Sequence, residues 1–119
     1  MKIGFRRKNT MKKFTITSQQ DLENLKKRSF ECDVLIFKHS TRCNISADAL
    51  THMEAAWKKD EIPFYYLDLL SYREISDKIE ADFGVRHQSP QVLLIRKGAC
   101  IYHESHWRID AKKIEEITS

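Results

Sequence analysis

The chain has 119 residues, 41% of them hydrophobic and 32% charged, with only 3 glycines and 2 prolines. A chain of this size and composition can bury a core without disulfides or metals, which excludes a disordered or fibrous protein. Its net charge is +4, yet no apolar run approaches the roughly 18 residues of a membrane span.

Much of the positive excess lies in the first 13 residues, as Lys2, Arg6, Arg7, Lys8, Lys12 and Lys13. The stretch contains no acid and no long apolar core, so it does not read as a secretory signal. A second methionine at position 11 offers an alternative start. Residues 1–12 are read as a flexible basic extension of a single domain spanning 1–119. No basic-aromatic RNA motif or helix-turn-helix signal accompanies the charge, so nucleic acid is not an expected partner. Cys32, Cys43 and Cys100 form an odd set without a C-x-x-C pair. They read as free thiols in a reducing cytoplasm.

Lys13 to Ile16 is a candidate edge strand. Ser18-Gln19-Gln20-Asp21 is a helix start, with Leu22 and Leu25 facing inward and an end near Ser29. Val34, Leu35, Ile36 and Phe37 form a short apolar run suited to a strand covered on both faces. After Cys43 the period changes. Ile45, Ala49, Met53, Ala56 and Trp57 recur at helical spacing, and Lys58 and Lys59 suit the helix end.

Pro63 opens a strand from Phe64 to Leu69. Ser71-Tyr72-Arg73-Glu74 reads as a capping box for a helix with Ile75, Ile79 and Phe83 inward and Gly84 as its C-terminal cap. Val92 to Arg96 is a further core strand. Lys97-Gly98 is a turn that folds Cys100 to His103 back antiparallel. Asp110 caps a last helix containing Ile114 and Ile117. The order implies an α/β fold, with parallel strands joined by helical crossovers and a terminal antiparallel hairpin.

Cys43 falls where the strand that opens at Val34 gives way to a helix. Unpaired N–H groups and the positive end of the helix dipole meet there. A thiolate in that position is stabilised, so more of the reactive form exists at neutral pH. Arg42 adds positive charge beside it, and Lys38 and His39 are candidates to add more. Neither His39 with Cys43 nor the set His87, His103 and His106 has the spacing of a zinc site, so no metal is expected. Trp57 lies on the apolar face of its helix and reads as core.

The order of elements, Cys43-Asn44-Ile45-Ser46 and Ser89-Pro90 before a core strand together resemble the thioredoxin fold. More narrowly, FKHSTRCNIS with SPQVLLIRKG downstream resembles the monothiol bacilliredoxins. These are thioredoxin-like proteins of the bacillithiol system, also described among general stress proteins. The resemblance covers residues 13–118. It implies a central mixed sheet of four to five strands flanked by helices, with Pro90 cis beside the reactive cysteine. It implies that Cys43 is the nucleophile of a thiol–disulfide oxidoreductase, taking bacillithiol, or another low-molecular-weight thiol, from S-thiolated client proteins. Thr41 and Arg42 would flank the thiolate. Ser46, in the place of a resolving cysteine, would hydrogen-bond it, and Ser89 and Pro90 would shape the substrate groove. No bound cofactor is implied. The low-molecular-weight thiol is a cosubstrate, and a monomer or weak dimer is expected, without membrane association.

Asn44 departs from the proline that relatives commonly carry after the cysteine, which restores a backbone donor and bears on redox tuning. Cys32 and Cys100 each lie about a strand length from Cys43 in this arrangement and read as structural thiols. Two other readings stand beside the enzyme: a non-catalytic binding module using the Pro90 groove, and an iron–sulfur carrier bridged by Cys43.

Overall fold

A computed structural model describes residues 13–40, 44–57 and 61–118 of the chain. The basic extension 1–12, the trio Thr41, Arg42 and Cys43, and the pair Lys58 and Lys59 lie outside the described residues.

Among the described residues, ten elements follow one another: β1 (Lys13–Thr15), α1 (Gln19–Arg28), β2 (Val34–His39), α2 (Asn44–Ala56), β3 (Phe64–Asp68), α3 (Arg73–Phe83), β4 (Gln91–Arg96), β5 (Ala99–Ser105), a 3-10 turn (His106–Arg108) and α4 (Ala111–Thr118). The strands form one sheet in the order β1-β3-β2-β4-β5. β1 and β2 pair parallel with β3, whereas β4 pairs antiparallel with β2 and β5. This is the expected mixed sheet, with five strands.

Alternation along β2 splits the core. Val34 and Ile36 pack with Leu22 and Leu25 of α1 and with Ile75 and Ile79 of α3. Leu35 and Phe37 face the other way, against Met53 of α2, Trp57 and Ile114 of α4. The sheet is therefore covered on both faces. That explains why β2 reads as a continuous apolar run rather than an alternating one.

Local signals set most boundaries. Ser18 caps α1, its hydroxyl accepting from the Asp21 N–H at 3.1 Å. Gly84 ends α3 in the left-handed region, at φ 68°, where a Cβ would be strained. Lys97 and Gly98 both have positive φ, as a two-residue hairpin turn between twisted strands requires. The Asp110 carboxylate accepts from the Lys112 N–H at the start of α4.

Two expectations fail. Ser71 does not cap α3, because its hydroxyl donates to Asp68 Oδ2 at 3.1 Å and Tyr72 takes the cap position without a side-chain bond. Asp68 also accepts from the Leu70 N–H, so the chain turns around this carboxylate instead. Cys32 is not a buried structural thiol. It lies exposed in the turn between α1 and β2.

Candidate active site

The site forms where β2 ends and α2 begins. β2 runs two residues beyond its apolar stretch, so Lys38 and His39 are strand residues, and both are buried. The chain re-enters the described structure at Asn44, the first residue of α2. No acidic residue occupies the first turn of α2, so no carboxylate there offsets the positive end of the helix.

Ser46 ties this junction together. It is fully buried, and its Oγ accepts from the Ser40 N–H at 3.3 Å. The same Oγ lies 3.5 Å from Ser89 Oγ, in the loop before β4. The Ser89–Pro90 peptide is cis, as the resemblance implied. The Pro90 carbonyl accepts from the His106 N–H at 3.0 Å. Gln91, next in the chain, pairs with Lys38 in the sheet. Its Nε2 donates to the Arg86 carbonyl at 3.0 Å, which closes the loop before Pro90 on itself.

Of the residues singled out from sequence, Ser46, Ser89 and Pro90 are brought together. Thr41, Arg42 and Cys43 lie outside the described residues. Cys43 is joined covalently to Asn44, the residue that starts α2. A groove of about 300 Å³ runs alongside, lined by Asp48, Ala49 and His52 of α2 and by His106, Trp107 and Ile109. Trp107 is 75% exposed beside it, and His106 holds a positive φ of 55° in the turn that reaches back to Pro90.

The two residues expected to add positive charge behave differently. Burial pushes the His39 imidazole below its ordinary range, with Asp68 pulling the other way, so the ring is neutral at pH 7. It packs against Tyr66 at 5.3 Å between ring centroids and contributes no charge. Burial also pushes Lys38 down, to about 8, while Glu80 and Asp77 pull it up, so it stays mostly protonated at pH 7. Its Nζ lies 3.3 Å from His87 Nδ1 and 3.4 Å from the Ser76 carbonyl.

Sequence reasoning missed Gln91, and it weighed His87 only as a metal ligand. Both lie within four residues of Pro90, and the polar run His87-Gln88-Ser89 before a buried strand is the signal that could have found them. Cys100 is half-buried, and burial pushes its thiol up, the opposite of activation.

A mixed sheet with a helix springing from the end of its central parallel strand, and a cis-proline loop facing that helix, defines a thioredoxin-fold protein. Solved structures agree. One is a thioredoxin-fold protein described as a candidate oxidoreductase, 24% identical, with a TM-score of 0.80 over 91% of this chain and 95% of the other. Others are the thioredoxin of Fasciola hepatica (18% identical, TM-score 0.70, 88% of this chain and 95% of that one) and that of Trypanosoma brucei brucei (18% identical, TM-score 0.68, 97% of each). At these identities the likeness is one of fold.

The particular family comes from a match of residues 14–114 to the monothiol bacilliredoxin BrxC, and the chain belongs to that family. Family and fold make it a thioredoxin-like thiol-redox protein. No helix among the described residues is long and apolar enough to cross a membrane.

Proposed function

We propose that the protein removes bacillithiol from mixed disulfides on client proteins through Cys43, in the cytoplasm. The observation that carries this reading is the contact of Ser46 with Ser89, which brings the first turn of α2 against the cis-proline loop. Cys43 immediately precedes that helix. A thiolate at such a helix start, with no acid in the first turn, is favoured by the dipole and the free N–H groups.

In the reaction, the Cys43 thiolate attacks the bacillithiol sulfur of a protein–S–S–bacillithiol disulfide. One S–S bond breaks and one forms. The client leaves as a thiolate and takes a proton from solvent, and Cys43 carries bacillithiol. A second bacillithiol, as thiolate, then attacks the bacillithiol sulfur of this adduct. Cys43 is released, the bacillithiol pool is oxidised to bacillithiol disulfide, and the two electrons it gives up end on the client thiol. Ser46 cannot form an internal disulfide, so the cycle needs the external thiol.

The test is intact-protein mass spectrometry after brief exposure to limiting disulfides of bacillithiol, glutathione and coenzyme A. Wild type is compared with Cys43→Ala. A single adduct on wild type, absent from the variant and fastest with the bacillithiol disulfide, is the expected result. Equal adducts on both proteins, or adducts only at Cys32 or Cys100, overturn the reading.

A further inference from the structure

Lys38 is a fully buried lysine that follows four buried apolar residues in β2. Burying an ammonium group costs several kcal/mol unless it is well bonded. No carboxylate lies within hydrogen-bond distance of it among the described residues; Asp77 and Glu80 of α3 act on it only at longer range. The bonds it does make therefore matter.

A protonated lysine only donates, so the contact at 3.3 Å makes His87 Nδ1 the acceptor and places the ring proton on Nε2. Burial, with Lys38 and Arg73, pushes the His87 ring down, against the pull of Glu80 and Asp77. The ring is therefore neutral at pH 7 and free to accept. Ser76 Oγ lies 3.2 Å from the same nitrogen, and the Ser76 carbonyl takes a second Lys38 proton at 3.4 Å. The His87 N–H donates to Glu80 Oε1 at 3.1 Å.

The arrangement grips one segment from two sides. The Lys38 main chain pairs with Gln91, the residue after Pro90. Its side chain holds His87, three residues before Pro90. Everything between these two points is the cis-proline loop.

We propose that Lys38 is a positioning residue for thiol exchange: its buried amine, bonded to His87 and to the Ser76 carbonyl, fixes the loop that presents Ser89 and Pro90 to the disulfide substrate. The inference rests on exchange at Cys43 as the reaction. It assigns Lys38 no contact with the reacting sulfurs. Its effect belongs in the capture of an extended substrate, not in the reactivity of the thiol itself.

The experiment uses the full chain and three variants: Lys38→Met, His87→Leu and His87→Asn, whose Oδ1 can stand in for Nδ1 as acceptor. The substrate probe is a synthetic cysteine peptide carrying bacillithiol in mixed disulfide. Iodoacetamide alkylation of Cys43 against pH reads thiol reactivity without the groove. Amide hydrogen exchange at His87 and His106 reads the loop, with Ile36 and Leu93 of the core as controls.

Lys38→Met should raise KM for the peptide about tenfold, the equivalent of one buried hydrogen bond. It should leave kcat and the alkylation midpoint near wild type, and speed exchange at His87 and His106 but not at Ile36 or Leu93. His87→Leu should reproduce this, and His87→Asn should recover most of the loss. If Lys38→Met does not fold, the two His87 variants carry the same comparison. Wild-type KM and wild-type loop exchange in a folded Lys38→Met, or in His87→Leu, overturn the positioning role while leaving exchange at Cys43 standing. A shift in the alkylation midpoint with KM unchanged overturns it in favour of a direct charge effect. A wild type that takes no bacillithiol from the peptide overturns both.

Discussion

Replacing Ser46 with alanine tests whether one hydroxyl holds the junction together. The change removes a hydrogen bond from the Ser40 N–H at 3.3 Å and a contact with Ser89 Oγ at 3.5 Å. A typical net hydrogen bond is worth about 0.5–1.5 kcal/mol, and a buried donor left unpaired costs about 1–3 kcal/mol. Both distances are at the long end, and Ser40 is only half-buried, so water can partly replace the lost acceptor. The expected loss is therefore about 1 kcal/mol, near the middle of the range for a single net bond. With a urea m-value of about 1.5 kcal/mol/M, the unfolding midpoint should fall by about 0.7 M at unchanged m. If the hydroxyl also solvates the Cys43 thiolate, the alkylation midpoint of Cys43 should rise by about half a pH unit, equivalent to about 0.7 kcal/mol. An unmoved urea midpoint would refute the structural argument. A moved urea midpoint with an unmoved alkylation midpoint would refute only the link to the thiolate.

Ser18→Ala removes the acceptor of the Asp21 N–H and should cost about 1 kcal/mol in urea unfolding. His39 should give the wild type an acid-sensitive slope. Its folded pKa lies below the ordinary value of 6.5, so the unfolded chain binds the proton first and stability falls as pH drops below that value. His39→Leu should flatten that slope in thermal melts between about pH 7 and 5, leaving the part contributed by His87, whose ring is shifted the same way; an unchanged slope would place the proton uptake elsewhere. Arg96 donates to both carboxylate oxygens of Asp33 at 2.8 Å, a fork that lysine cannot reproduce. Because Arg96 is 41% exposed, Arg96→Lys should cost no more than about 1 kcal/mol, and a loss well beyond that in urea unfolding would show the pair to be better shielded than its exposure implies.

What the sequence made legible follows from the range of the physics involved. Apolar period and end caps are local, so α1 with Ser18, α3 with Gly84 and the hairpin at Lys97-Gly98 were readable from a few neighbouring residues. Ser71 misled for the same reason. Its hydroxyl had two local partners to choose between, and Asp68, already organising the turn through the Leu70 N–H, took it. The polar groups at the site belong to a different class. Nothing near Lys38 in the chain says that its amine will be covered. The cover comes from Ser76 and His87, 38 and 49 residues away. Ser46 becomes a bridge only because Ser89, 43 residues away, comes into contact with it.

A lone cation at the end of a run of four buried apolar residues is nonetheless a readable anomaly. A strand covered on both faces leaves such a side chain no route to water except past its end. β2 continues one residue beyond Lys38, to His39, so that route is closed and an acceptor within the fold is required. The loop before Pro90 supplies it in His87. The constraint that makes the lysine costly is thus the one that ties it to the proline loop. A chain that lost His87 alone would leave the buried Lys38 amine with only the long bond to the Ser76 carbonyl.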